Sequence, residues 1–218
     1  MEKINNKYYE PLEQMMSVRH QYMAKIISLE ESCNIYQYFK NKQILDLGCG
    51  TGKFLYNYYE LGSICTGVDI IDNFQIKSKK NFKLIKSAFQ NFISKNKKKY
   101  NVIFLFEFVE HLSLNEREIL FNMIPKLLKK NGIVFLSTLN KNIISEFMSI
   151  NIAENLLSLI PRNTHDPNLF IKPSEIQILS KKNDLKLLNT QGISYNPILK
   201  TFKLSNIELI NYFAAITN

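Results

Sequence analysis

Apolar residues recur at helical intervals near the start of the chain, at Met15, Met16, Tyr22, Met23, Ile26 and Ile27. The stretch from Leu12 to Phe39 holds no glycine, and its only proline precedes it at Pro11, so one or two leading helices are predicted over 12–40. Beyond them the pattern becomes short apolar runs between polar turns. Strands are predicted at Gln43–Leu47, Ile64–Asp69 and Lys83–Lys86, with helices at Gly52–Glu60 and Ala88–Ser94. Tyr100–Phe106, YNVIFLF, is apolar nearly throughout, as a parallel strand covered on both faces would be. Asn115–Lys129 reads as a helix whose acids come early and whose lysines come late, which suits the helix dipole. Asn131-Gly132 is expected to end that helix before a strand at Ile133–Leu139. Asn142–Ile160 reads as a further helix with an apolar face, stopped by Pro161. A loop over Pro161–Pro173, a helix at Ser174–Lys182, and closing strands at Leu185–Gly192 and Ile207–Ile216 complete the reading. Strand and helix alternate, which predicts an α/β fold: a doubly wound, mostly parallel, three-layer sheet with helices on both faces. No repeat or linker interrupts residues 1–218, so they are read as one domain.

Composition narrows the setting. Hydrophobic residues make up 45% of the chain, yet no continuous apolar stretch reaches membrane-spanning length. The first residues, MEKINNKYYEPLEQ, lack the apolar centre of a signal peptide. Cys33, Cys49 and Cys65 form no metal-type pair and suit a reducing compartment, so a cytoplasmic address is expected. The net charge of +9 admits an anionic membrane surface or nucleic acid as partner. The densest lysine stretches, Lys77–Lys86 and Lys95–Lys99, fall in predicted solvated loops. There is no helix-turn-helix, aromatic-basic or zinc signature, so no nucleic-acid partner is expected.

The candidate chemistry begins at QILDLGCGTGK, residues 43–53, where a strand breaks into Gly48, Gly50 and Gly52. Such a turn brings bare backbone against a ligand beneath a helix N-terminus. Asp69 closes the next apolar run, ICTGVD, at the interval where nucleotide-binding α/β domains hold ribose hydroxyls. A hydride-transferring site prefers G-x-G-x-x-G, whereas D-L-G-C-G-T-G resembles the first motif of the class I S-adenosylmethionine-dependent methyltransferases. That resemblance places Asp46 and the glycine turn near the amino-acid end of the cofactor and Asp69 on the ribose. Arg19 on the leading helix is either a paired surface group or a bidentate clamp for the cofactor carboxylate.

Strand Tyr100–Phe106 runs into Glu107, Glu110 and His111, at the carboxyl end where doubly wound sheets bind ligands. If the chain turns helical there, the three side chains share one face and suit a divalent cation with open positions. The other reading makes Glu110 and His111 capping and paired groups. His165, beside Asp166, is either a turn device or a substrate contact and base. Tyr195-Asn196-Pro197 lies too near the C-terminus to act as the proline-bearing motif of amino-group methyltransferases.

Together these stretches resemble one family, the ubiquinone biosynthesis O-methyltransferases. The resemblance runs from Pro11 almost to the end, through PLEQMMSVRHQYM, LDLGCGTG, TGVD, FEFVEHL, FLSTLNKN, IPRNTHDPNLFIKPSEI, GISYNPILKTFKL and INYFAAITN. It implies a seven-stranded, Rossmann-like methyltransferase sheet and methyl transfer to phenolic hydroxyls of polyprenylated ubiquinone precursors, at both O-methylation steps. It also implies cofactor contacts at Arg19, Gly48, Asp69 and Phe106, and a magnesium-type ion on Glu107, Glu110 and His111. Residues 142–170 correspond to an insertion associated with lipid contact, so peripheral attachment to an anionic inner-membrane surface is expected, with other quinone-pathway enzymes as neighbours. Relative to the family, the chain begins later and the stretch between Asp69 and Ser87 is shorter by roughly a helix. Two other readings stand beside this one: an O-methyltransferase for another small phenol or catechol, and a catalytically silent membrane-bound scaffold.

Overall fold

The computed structural model describes residues 10–147, 166–196, 198–199 and 201–218. Two helices lead, α1 (Glu10–Glu31) and α2 (Ile35–Phe39). Strands β1 (Gln43–Leu47), β2 (Ile64–Asp69), β3 (Phe82–Lys86), β4 (Tyr100–Phe106) and β5 (Leu128–Leu139) follow, with helices α3 (Lys53–Glu60), α4 (Phe89–Lys95) and α5 (Leu114–Leu127) between them. A short helix α6 (Ile143–Phe147), helix α7 (Pro173–Lys182) and strands β6 (Lys186–Asn196), β7 (Thr201–Ser205) and β8 (Asn211–Thr217) complete the described chain. The strands form one sheet in the order β3-β2-β1-β4-β5-β8-β6-β7. The first five are mutually parallel where they pair, and β8, β6 and β7 join antiparallel.

Alternate residues of the central strands enter two separate cores, which is why those strands are apolar at almost every position. Val102, Phe104, Phe106 and Phe135 pack with α1, α2 and α3, whereas Ile103, Leu105, Val134 and Leu136 pack with α4, α5 and α7. Strand order reverses between β1 and β4, so their carboxyl ends border the crevice in which doubly wound sheets bind ligands. Gly48 and Glu107 stand at those two ends.

Three boundaries differ from expectation. The sheet has eight strands and not seven. The added one is β7, because the stretch after Gly192 folds as a hairpin pairing Tyr195 with Phe202. Helix α5 stops at Leu127, two residues early, because Leu128 already pairs with Tyr100. Asn131, at φ 59°, belongs to the bulge that restores register at Val102–Ile133, and it does not cap a helix. The closing strand starts at Asn211 and not Ile207, since residues 206–210 form the turn that receives bonds from Asn140 and Asn142. Between β2 and β3 there is no helix, as the shortened 69–87 stretch implies. Of the predicted helix 142–160, only α6 lies within the described residues.

Candidate active site

The glycine turn is built by the pairing of β1 with β2. Gly48 and Cys49 both donate their N–H to the Val68 carbonyl, at 2.8 and 3.2 Å. The Gly50 N–H donates to Asp69 Oδ2 at 2.8 Å, and Ile71 N–H to Asp69 Oδ1 at 2.9 Å, so the Asp69 carboxylate organises the turn. Gly48 has φ 77°, and a Cβ there would stand 2.7 Å from the Phe108 ring. Only glycine suits both demands.

A cavity of about 570 Å³ opens over this turn. Its wall contains Arg19, Asp46, Gly48, Gly50, Asp69 and Phe106 of the expected cofactor set, and Glu107 and His111 of the expected catalytic set. Gly52 stands just behind it as the left-handed N-cap of α3. Glu110 is 1% exposed and lies beneath the wall. His165 falls outside the described residues.

Arg19 is delivered by α1 and is 6% exposed. Its guanidinium carbon lies 5.2 Å from the Phe54 ring centre and 4.9 Å from that of Phe106, two cation–π contacts to a pair of rings that meet edge to face. Its Nη2 stands 4.0 Å from Glu107 Oε1, and its buried Nε has no hydrogen-bond partner. Burial pushes the Arg19 pKa down, while Glu107 and Asp46 favour its charge. Asp46 is pushed up to about 7 by burial; Arg19 acts to lower it and Asp69 to raise it. A buried guanidinium with a spare donor, beside Asp46 and Asp69, suits a ligand that carries a carboxylate, an ammonium and a diol. S-adenosylmethionine is such a ligand, and these residues fit it.

At the other end of the cavity, Ser137 Oγ donates to Glu107 Oε1 at 2.5 Å, and Thr138 Oγ1 donates to Glu110 Oε2 at 3.0 Å. Burial, and then the adjacent Glu107 carboxylate, push Glu110 well above the usual carboxylate range. Its Oε1 is buried without a hydrogen-bond partner. The expected three-ligand arrangement is not formed. Residues 109–111 make a 3₁₀ turn, which buries Glu110 and exposes His111, instead of an α-helix presenting all three on one face. Among the described residues no group of three His, Cys, Asp or Glu is placed to hold a metal ion. The donor set as folded does not fit a magnesium-type ion.

Ser137, Thr138 and Phe54 were not singled out from the sequence. The two hydroxyls carried a signal: they are the polar pair in FLSTL, a strand covered on both faces. Phe54 carried none, being one aromatic among many.

Comparison with known proteins agrees with this geometry. The family described as "Methyltransferase domain" matches residues 18–190. The crystal structure of magnesium protoporphyrin IX methyltransferase from Synechocystis with bound SAH superposes with a TM-score of 0.60 at 12% identity, covering 99% of this chain and 88% of that one. The fold is therefore that of a class I S-adenosylmethionine-dependent methyltransferase. The chain is 35% identical over 213 residues to the ubiquinone biosynthesis O-methyltransferase of Pelagibacter ubique, covering 95% of this chain and 88% of that protein. It is 31% identical over 189 residues to the protein of the same name from Hydrogenovibrio crunogenus, covering 83% and 77%. It belongs to the ubiquinone biosynthesis O-methyltransferase family.

Proposed function

We propose that this protein transfers a methyl group from S-adenosylmethionine to a phenolic hydroxyl of polyprenylated ubiquinone precursors. The observation that carries the reading is one continuous cavity, from the glycine turn to Glu107 and His111, in a chain of that family. When bound, S-adenosylmethionine supplies a methyl carbon already activated by its sulfonium. Arg19 takes the carboxylate of the methionyl end, Asp46 the ammonium, and Asp69 the ribose hydroxyls. Glu107, which lines the cavity, accepts the proton of the phenol. With that cofactor bound, the phenol oxygen would form the new C–O bond while the C–S electron pair returned to sulfur. Alignment is the protein's main contribution, since fixing two reactants in line replaces translational and rotational entropy otherwise lost in the reaction.

Magnesium on Glu107, Glu110 and His111 is the part of the expectation that the folded donor set does not fit. Turnover that survives chelation agrees with this. Turnover lost on chelation and restored by magnesium would mean that the three side chains gather only around substrate.

A polyprenyl tail resides in a bilayer, so the enzyme works at a membrane surface, peripherally and on the cytoplasmic side, near other quinone-pathway enzymes. Exposed Ile143 and Ile144 at the start of the insertion and the net charge of +9 support this. No helix among the described residues is long and apolar enough to cross a membrane. Expression in a quinone-deficient strain lacking its own O-methyltransferase tests the function: restored quinone synthesis is expected, and no rescue by folded, expressed protein would contradict it.

A further inference from the structure

Glu107 has a backbone φ of 49°, in the left-handed region that a residue with a side chain adopts at a cost. Something must hold it there, and must also fix a flexible carboxylate in the cavity wall. Both tasks fall to one residue on the neighbouring strand. The Glu107 N–H donates to the Ser137 carbonyl and to Ser137 Oγ, each at 3.1 Å. Ser137 Oγ, in return, donates its proton to Glu107 Oε1 at 2.5 Å. The first bond is a rung of the β4–β5 ladder that any residue would supply. The other two need a hydroxyl.

The setting makes that hydroxyl hard to replace. Ser137 is 0% exposed and pairs in register with Phe106, the last residue of β4, so water has no access to take its place. Its single proton has one direction, because Oγ already accepts from the Glu107 N–H. Arg19 approaches the same carboxylate oxygen, Oε1, from the side of α1. Ser137 and Arg19 thus hold Glu107 through Oε1 and leave Oε2 unengaged by either.

We propose that Ser137 is a positioning residue of the methyl transfer: its hydroxyl orients the Glu107 carboxylate toward the substrate oxygen. This rests on the role of Glu107 as proton acceptor. A hydroxyl that only stabilised the sheet would affect folding and leave the function of Glu107 untouched, and kinetics separate the two.

The experiment compares methyl transfer to a farnesylated catechol by wild type, Ser137→Ala, Glu107→Gln and the double variant, with S-adenosylmethionine affinity measured alongside. A charge-assisted hydrogen bond sets the scale, so Ser137→Ala is expected to lower kcat by about 10- to 100-fold with cofactor affinity unchanged. The double variant is expected to be no slower than Glu107→Gln alone. Threonine and valine have the same shape and differ at 137 only in the hydroxyl. Ser137→Thr should therefore outpace Ser137→Val by a similar factor, and that pair carries the test if Ser137→Ala does not fold. An unchanged kcat in Ser137→Ala, or a loss that multiplies with that of Glu107→Gln, would overturn the positioning role. Wild-type turnover by Glu107→Gln would instead overturn the role of Glu107 on which it rests.

Discussion

At the scale of single residues, Asp46 shows how the cofactor site loads the fold. Its pKa, raised to about 7 by burial, exceeds the ordinary 3.8, so the folded protein binds a proton there more tightly than the unfolded chain. The stability linked to that proton is present below about pH 4 and is lost as pH rises toward about 7. Asp46→Asn removes the titration. In urea unfolding without cofactor, the wild type should lose stability across that window relative to Asp46→Asn, by up to roughly 1.4 kcal/mol per pH unit. Parallel pH profiles for the two proteins would contradict it. The residues of this site were legible to different degrees. Gly48, Gly50 and Asp69 announced themselves, since few turns need alternate glycines with an acid at the next strand end. Glu107, Glu110 and His111 were visible as a group, but their geometry was not. A three-residue 3₁₀ turn and an α-helical turn differ by small changes in backbone angle, and the sequence EFVEH is compatible with both. The partnership of Glu107 with Ser137 is a tertiary contact across 30 residues and left no local pattern.

At the scale of elements, the buried strands were readable because both their faces are covered, which makes β1, β2 and β4 mostly apolar runs with the predicted ends. The antiparallel edge was harder. Pro197 and the polar alternation around it masked the β6–β7 hairpin, whose outer strand is only partly buried. The joints between elements were invisible, and Arg117 is the clearest case. This residue of α5 is 2% exposed; its Nε donates to the Val109 carbonyl at 3.0 Å and its Nη2 to the Leu169 carbonyl. It thereby ties the 3₁₀ turn of Glu110 and His111 to the segment around Leu169. Arg117→Met should cost about 2–4 kcal/mol in urea unfolding, because one buried and one partly buried carbonyl lose a charged donor. A cost under about 0.5 kcal/mol, the range of unremarkable surface substitutions, would show that the tie is not needed.

At the scale of the whole molecule, the doubly wound sheet places Gly48 and Glu107 at one rim, at the carboxyl ends of β1 and β4. Asn142 Nδ2 donates to the Leu209 carbonyl, which brings exposed Ile143 and Ile144 next to the turn carrying exposed Ile207 and Leu209. These exposed apolar residues and the net charge of +9 are the two features on which the proposed peripheral attachment rests. Flotation with anionic liposomes should weaken as salt rises and fail when Ile143 and Ile144 become aspartate. Flotation unchanged by the two substitutions would place the membrane contact elsewhere. Charge and length pointed to such a surface from the sequence, but which apolar residues stand exposed depended on the packing of loops 140–147 and 206–210. The most direct measurement of the central claim is methyl transfer itself. Purified protein should convert a farnesylated catechol and labelled S-adenosylmethionine into the labelled O-methyl ether, and the Arg19→Gln protein should do so only at much higher cofactor concentration. Tight binding of S-adenosylmethionine with no labelled ether formed would contradict the account.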